Sequence, residues 1–251
     1  MRTLALQLYT VRHALERNPE ETLRLVREAG YHAVETAPLP PHLTTRRLAG
    51  LLREVGLTVT AAHGDLPLGD RQNEVLDDAA EFGTSRIIWH GWPRDPACDS
   101  LDGFRRLADR YAAAFEASER YGLHFGLHNH WWEFEKVDGI FPYQLLHDLL
   151  PTGVFFELDV YWVQTASVSP LQILAELSSR IRMLHLKDGP ARHGEPMTAL
   201  GEGNLDIAAI ARTTAPSIDW VVELDECATD PLDAARRSLQ FLQRVSPPVS
   251  A

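Results

Sequence analysis

Cysteine is scarce in this sequence. The two cysteines, Cys98 and Cys227, lie far apart and outside any CxxC spacing, which excludes a disulfide framework and a thiolate metal site. The amino-terminal residues also lack the charged-then-apolar pattern of an export signal. Both features predict a protein that works in the reducing cytoplasm.

Long apolar runs and an excess of basic residues are missing as well. No apolar segment reaches the length of about 20 residues that a membrane-spanning helix needs. The 251 residues include 24 Lys and Arg against 35 Asp and Glu, a formal net charge of -11 that repels phosphate backbones and anionic lipids. We therefore expect a small-molecule partner rather than nucleic acid or a membrane.

The chain alternates short β-rich runs with longer amphipathic stretches. The predicted strands are Thr3–Leu8, Ala33–Glu35, Thr58–His63, Ser85–Trp89, His124–Asn129, Val154–Asp159, Met183–Lys187 and Trp220–Glu223. The clearest helices are Asn73–Phe82, Ser100–Tyr121 and Pro231–Arg244, and Asn18 with Pro19 starts an earlier one. Strict strand and helix alternation predicts a parallel sheet with right-handed crossovers.

Eight such units in 251 residues are expected to close into an α/β fold of the (β/α)8 TIM barrel type. We expect one domain over residues 1–245 and a frayed tail at residues 246–251. An open, doubly wound sheet is the alternative. It is disfavoured because no GxGxxG follows the first strand and no GxxxxGKS/T occurs in the chain.

Three of the apolar strands end in charged residues. Asp159 closes one of them, His185 and Lys187 close the next, and Glu223 closes the last. Because an isolated buried charge costs several kcal/mol, such groups persist only when they are paired or bound to a cation. The pattern therefore predicts a shared divalent metal at one rim of the barrel, or else ion pairs that seal the barrel top.

Histidine and tryptophan gather at the same strand ends and in the loops that follow them. Five of the 11 histidines lie there: His63, His90, His128, His130 and His185. So do five of the 6 tryptophans: Trp89, Trp92, Trp131, Trp132 and Trp162. Imidazoles at a rim suit metal binding and proton transfer, and indole rings suit the C–H face of a sugar. Alternatively, the indoles pack the barrel top or contact a second subunit of a homo-oligomer.

Several segments form a further pattern when they are taken in chain order. They are Leu6–Arg12, Val34–Glu35, His63, Leu127–Phe134 with the letters LHNHWWEF, Glu157–Asp159, His185–Asp188, Gly201–Asp206 and Val222–Asp225. Together they resemble the xylose isomerase-like TIM barrels, often labelled sugar phosphate isomerases/epimerases, in a branch with an HNHxxEF run. The resemblance extends over nearly the whole chain.

The resemblance implies one divalent metal ion held by side chains from strands five to eight. Three of the ligands are expected to be Asp159, His185 and Glu223. Many members of the family have a Glu at the end of strand five, where this sequence has His128. We expect Glu133 from the following loop as the fourth ligand, with His128 or His130 as alternatives. Such a set suits Mn²⁺, Mg²⁺, Co²⁺ or Zn²⁺.

The resemblance also implies a sugar isomerase or epimerase. In these enzymes the metal polarises a carbonyl and its neighbouring hydroxyl while a side chain moves the proton beside them, through an enediolate. The expected catalytic residues are His128, His130, Lys187 and Glu223. The expected substrate-binding residues are Gln7, Tyr9, Glu35, His63, His90, Trp131 and Trp162.

Three other functions stay open from the sequence. A dehydratase or lyase acting on a keto-inositol or a 3-keto-glycoside would start with the same proton removal. A catalytically inactive barrel that binds a sugar is the second. An endonuclease that cuts at abasic DNA sites is the third, although the net charge argues against it.

A phosphorylated substrate is not expected. Barrels bind phosphate with glycine-rich loops after strands seven and eight. Here Glu202 stands between Gly201 and Gly203 in the first of these loops, and Asp225 with Glu226 follows strand eight. We therefore predict an unphosphorylated sugar or keto-sugar as the substrate.

Overall fold

The structure is a computed structural model that describes residues 2–245, so the tail predicted at residues 246–251 lies outside the described residues. Nine strands within the described range form a single sheet. They are β1 (Leu4–Gln7), β2 (Ala33–Glu35), β3 (Thr58–Val59), β4 (Ala62–Gly64), β5 (Arg86–Trp89), β6 (His124–His128), β7 (Phe155–Asp159), β8 (Ile181–Leu186) and β9 (Asp219–Val222). All pairs are parallel, and β1 pairs with both β2 and β9, so the first and last strands meet.

The predicted third strand, Thr58–His63, is divided in two. Its first part, β3, pairs with β2, and its second part, β4, pairs with β5. Between them, the Thr60 amide donates to the Val34 carbonyl at 2.9 Å and the Thr36 amide donates to the Ala61 carbonyl at 3.3 Å. The chain passes here from one neighbour to the other, and the predicted (β/α)8 barrel is confirmed with an interruption in its third strand.

Ten α-helices accompany the strands in the described part of the chain. They are α1 (Arg12–Arg17), α2 (Pro19–Glu28), α3 (Thr45–Val55), α4 (Gln72–Phe82), α5 (Leu101–Glu119), α6 (Pro142–Leu149), α7 (Val160–Thr165), α8 (Pro170–Glu176), α9 (Ile207–Thr213) and α10 (Pro231–Val245). As predicted, Asn18 caps α2 by accepting the Glu21 amide at 3.1 Å, and Pro19 occupies the first turn. Within residues 2–245, none of the helices combines the length and apolarity of a membrane span.

A small apolar layer fills the barrel interior below the rim. Its members are Ala5, Ala33, Ala61, Ile88, Phe155, Met183 and Val221, all buried. Each lies two residues before a polar residue of the rim, and side chains two apart on a strand share a face. The polar residues therefore form the next layer of the same interior, on the face where barrel active sites lie.

Candidate metal centre and cleft

Four ligand-type side chains meet at the rim, one from each of four neighbouring strand ends. They are His128 from β6, Asp159 from β7, His185 from β8 and Glu223 just after β9. All four are buried, and one nitrogen or oxygen of each lies within 4.8 Å of the others. The structure thus brings together Asp159, His185 and Glu223, as the strand pattern predicts, and adds His128.

The side chains of this group lie close together, but several of their nitrogen and oxygen atoms form no hydrogen bond. Nδ1 of His185 lies 2.8 Å from Oε2 of Glu223, and Nε2 of His128 lies 3.3 Å from Oδ2 of Asp159. Yet His185 Nδ1, Asp159 Oδ2 and both ring nitrogens of His128 have no hydrogen-bond partner among residues 2–245. Buried polar atoms are seldom left this way. Ligand-type atoms that lie this close with no hydrogen bond between them fit a shared cation.

Lys187 is the only ammonium in contact with this group among the described residues. Its Nζ lies 3.0 Å from Asp159 Oδ2, 2.7 Å from Glu223 Oε2 and 2.8 Å from Asp225 Oδ2. The carboxylates around it are more numerous: Glu35, Glu157, Asp159 and Glu223 are buried, and Asp225 lies at the edge. Lys187 and a protonated His185 balance only part of this charge even when Glu35 is protonated, so the ion-pair alternative leaves room for a divalent ion.

The pKa shifts follow from this crowding of charge. Burial alone would raise the pKa of Asp159 and of Glu223, but the Lys187 ammonium holds both below their ordinary values. Burial opposes charge on His185 and Lys187, yet the surrounding carboxylates raise the pKa of both well above the ordinary values. A divalent ion would take the place of the proton on His185, because metal binding displaces protons from its ligands.

A second polar layer holds the far side of the His185 ring. Nε2 of His185 lies 3.1 Å from Glu157 Oε2 and 3.2 Å from Glu35 Oε1, and Gln7 donates to Glu35 at 2.8 Å. Burial and the Glu157 charge raise the pKa of Glu35 well above its ordinary value, so Glu157 carries the charge of the pair. Gln7 and Glu35, predicted to bind substrate, are fully buried here, and Glu35 contacts His185 directly while Gln7 contacts Glu35.

Glu133 lies apart from the four-residue group. Its carboxylate accepts the backbone amide of His130 at 3.0 Å, and it lines a separate small cavity together with Cys98 and Tyr111. Burial raises the pKa of Glu133 to about 7. The structure therefore places His128, and not the expected Glu133, beside Asp159, His185 and Glu223, while the Glu133 carboxylate is bonded to the backbone of its own turn.

Asn129 is a site residue that sequence reasoning missed. Its Oδ1 accepts the Asp159 amide at 2.9 Å and its Nδ2 donates to the Asp159 carbonyl at 3.2 Å, which ties the ends of β6 and β7 together. Asp159 Oδ1 in turn accepts the amides of Tyr161 and Trp162, both at 2.9 Å, as the cap of α7. The only signal in the sequence was an amide side chain between two strand-end histidines.

A cleft of about 320 Å³ opens above the four-residue group. Five of the predicted substrate-binding residues line it: Tyr9, His63, His90, Trp131 and Trp162. So do all four predicted catalytic residues: His128, His130, Lys187 and Glu223. His130 stacks on Trp132 with ring centroids 4.2 Å apart, and Lys187 Nζ lies 5.3 Å from the Trp162 ring centroid. Aromatic faces and ionisable groups thus share one small-molecule cavity.

The loop after β8 is organised by Asp188. Its two carboxylate oxygens accept four backbone amides, those of Gly189, Gly201, Gly203 and Leu205, at 2.8–3.2 Å. A Cβ on Gly203 would lie 2.2 Å from Asp188 Oδ1, so the close approach requires glycine. Glu202 points instead to Arg237 of α10. The glycine amides of this loop, which could otherwise contact a phosphate, are therefore already occupied.

The fold and the rim together define a (β/α)8 barrel with a buried candidate metal centre under an aromatic cleft. The chain belongs to the xylose isomerase-like TIM barrel family, whose family model matches residues 23–245. No curated protein matches the sequence significantly.

Three solved structures illustrate the likeness. A sugar phosphate isomerase/epimerase from Parabacteroides distasonis superimposes with a TM-score of 0.80 at 20% identity, covering 98% of this chain and 94% of that one. An L-ribulose 3-epimerase gives a TM-score of 0.73 at 19% identity over 98% and 95% of the two chains. The IOLI protein with a bound zinc atom gives 0.72 at 14% identity over 99% of each. At these identities the comparison supports the fold.

Proposed function

We propose that this protein is a divalent-metal-dependent isomerase or epimerase of an unphosphorylated sugar or keto-sugar. The observation that carries the proposal is the group formed by His128, Asp159, His185 and Glu223, whose unbonded donor atoms crowd together at the barrel rim. The family and its sugar isomerase and epimerase neighbours support the same assignment.

These four side chains would hold the metal ion. Two imidazoles and two carboxylates favour Zn²⁺, Co²⁺ or Mn²⁺ over Mg²⁺, which prefers oxygen ligands. The zinc of the IOLI protein is consistent with this preference. When bound, the metal would polarise a substrate carbonyl and its neighbouring hydroxyl and so acidify the C–H between them.

The chain's own residues supply the proton transfer. His130 lines the cleft, and its Nδ1 has no hydrogen-bond partner among residues 2–245, so a neutral ring has a nitrogen that can accept a proton there. Burial and the His128 ring favour that neutral form, because they lower the pKa of His130 well below its ordinary value. Lys187 keeps its charge and stabilises negative charge that develops on a substrate oxygen. His130 is accordingly the proposed base, and Lys187 is the proposed electrostatic group.

Two features favour an uncharged sugar. The indole rings of Trp92, Trp131 and Trp162 offer flat apolar faces to the C–H side of a ring. Around them, Glu195 and Glu226 add negative charge to the cleft wall, and the glycine-loop amides are bound by Asp188. A phosphate would find the glycine-loop amides occupied and Lys187, the only lysine or arginine that lines the described cleft, already paired.

Hydrogen exchange from solvent tests the proposal. Metal-loaded protein is incubated in D₂O with free aldoses, ketoses, inososes and keto-glycosides, and deuterium at the carbon beside the carbonyl is read by NMR. We expect deuterium incorporation with isomerised or epimerised product, abolished by a chelator and in Asp159→Asn, and retained in the matched control Glu135→Gln, an exposed residue of the same rim.

Other outcomes identify the alternatives. Incorporation of deuterium with loss of water or of an alcohol would identify a lyase. Saturable sugar binding without exchange at any metal would identify an inactive barrel and contradict the proposal.

A further inference from the structure

A second groove lies on the rim beside the cleft. It has a volume of about 620 Å³ and runs between the loop after β2, the start of α3 and one face of α4. Four residues line both cavities: Ala37, Pro38, His63 and His90. The groove therefore adjoins the cleft along these four residues, and it is the larger of the two.

The groove walls combine polar and apolar side chains, and no lysine or unpaired arginine lines them among the described residues. Arg71 is the only arginine that lines it, and it is already paired with Asp65 and, at 2.8 Å, with Glu74. The hydroxyls of Thr36, Thr44 and Thr45 and the carboxylate of Asp78 line it as well. Such walls repel an anionic group and offer hydrogen-bond acceptors and donors to hydroxyls.

The volumes of the two cavities suit a substrate with one unit in the cleft and a second unit in the groove. A volume of about 320 Å³ is at the lower end of small-molecule sites, which span roughly 300–1,000 Å³, and suits one sugar ring above the four-residue group. The groove adds about 620 Å³ beyond the imidazoles of His63 and His90. A free monosaccharide in the cleft would leave this space to water.

We propose that the groove is a subsite for a second, uncharged sugar unit, so that the preferred substrate is a disaccharide or comparable glycoside rather than a free monosaccharide. The inference rests on the proposed function, because it places the reacting unit over the candidate metal centre. The linked unit passes over the shared wall of Ala37, Pro38, His63 and His90 and lies against the hydroxyls and carboxylates of the groove.

A substitution at Gly64 can fill the groove without placing new atoms in the cleft. It lines the groove and not the cleft, and a Cβ added to it meets no atom within 4 Å. Gly50 in α3 is the matched control, since a Cβ there also meets nothing within 4 Å and the residue lines neither cavity. Thr45→Tyr fills the groove from α3 and serves as a second variant if Gly64→Leu does not fold.

The test is calorimetric titration of metal-loaded protein with glucose against maltose and cellobiose, and with galactose against lactose and melibiose. We expect at least one disaccharide to bind at least about tenfold more tightly than its monosaccharide, about 1.4 kcal/mol. Gly64→Leu should remove this gain while metal content and monosaccharide affinity stay unchanged, and Gly50→Leu should behave as the wild type.

Two results would overturn the subsite. One is equal affinity of the wild type for monosaccharides and disaccharides. The other is tighter binding of a disaccharide that is retained in both Gly64→Leu and Thr45→Tyr. Binding of no sugar of either kind by metal-loaded protein would instead contradict the proposed sugar chemistry, and with it the subsite.

Discussion

Asp159 uses its two carboxylate oxygens for different tasks. Oδ1 accepts the amides of Tyr161 and Trp162, while Oδ2 lies 3.3 Å from His128 Nε2 and 3.0 Å from the Lys187 ammonium. The backbone of α7 thereby fixes the orientation of the oxygen that faces the group. A ligand that is held in place before the ion arrives loses little conformational freedom on binding, which favours affinity.

The identity of the fourth ligand can be tested with a pair of variants. We expect His128→Ala to lower the affinity for Mn²⁺ or Zn²⁺ at least about tenfold, because it removes a nitrogen of the group. Glu133→Gln should change the affinity by less than about twofold, since Gln still accepts the His130 amide. Chelator competition measures both, and the reverse order of effects would return the assignment to Glu133.

Lys187 should oppose metal binding while assisting the reaction. Its ammonium lies 3.0 Å and 2.7 Å from two ligand oxygens, so Lys187→Met removes a positive charge that repels the incoming ion. We expect metal affinity to rise at least about tenfold and deuterium exchange to fall at least about a hundredfold. Lys136→Met, which removes the other lysine of the chain, is the control. Weaker metal binding in Lys187→Met would show instead that the lysine organises the ligands.

At the scale of the elements, periodicity predicts the direction of side chains on the strands but not of those in the turn after β6. Asp159, His185 and Glu223 were predictable because residues on a strand alternate between faces and parallel strands end at one rim. Glu133 follows β6 in a short 3-10 turn, where no period fixes the direction of a side chain. The sequence could therefore name Glu133 as a candidate but could not orient it.

Glu133 should make stability depend on pH. Its pKa is about 7 in the folded chain against an ordinary value of 4.5, so the folded state binds a proton that the unfolded state has lost between these values. Stability therefore falls as pH rises from 4.5 towards 7, by on the order of 3 kcal/mol in total.

Glu133→Gln removes this dependence. We expect the variant to melt at the same temperature as the wild type at pH 4.5 and at a higher temperature at pH 8, as measured by circular dichroism. Because other groups titrate equally in both proteins, the difference between them isolates Glu133. A difference in melting temperature between the two proteins that stays the same at all pH values would contradict the shifted pKa of Glu133.

The interrupted third strand shows a second limit of sequence reasoning. The run from Thr58 to His63 reads as one strand, since nothing in its letters marks the break. The division arises from pairing, because β3 follows the register of β2 while β4 follows that of β5. Barrel closure sets this change of partner, and it depends on all the strands together.

At the scale of the whole molecule, the net charge and the backbone of the loop after β8 both disfavour a phosphorylated substrate. The net charge of -11 disfavours anions at long range, and Asp188 occupies the amides of Gly201 and Gly203 at short range. The sequence predicted an unphosphorylated substrate from the charges of Glu202, Asp225 and Glu226. The structure supplies a different reason, since Glu202 pairs with Arg237 and the amides themselves are taken.

Phosphorylation of the substrate should therefore lower the kcat/KM of the enzyme for it. For any sugar that exchanges deuterium, we expect the kcat/KM of its phosphate ester to be at least about tenfold lower, about 1.4 kcal/mol, in low salt. Added salt should narrow the difference, because it screens the repulsion. Equal or faster turnover of the ester would show that a phosphate site exists elsewhere on the rim.

The metal centre itself is tested most directly by metal content together with thermal stability. Protein dialysed against Mn²⁺, Co²⁺ or Zn²⁺ should hold one ion per chain and gain about 2.7 kcal/mol of stability when the free ion is a hundredfold above Kd. Asp159→Asn should lose both effects and keep the fold. A wild-type protein that retains no divalent ion, and that melts at the same temperature with and without metal, would contradict a metal centre formed by His128, Asp159, His185 and Glu223.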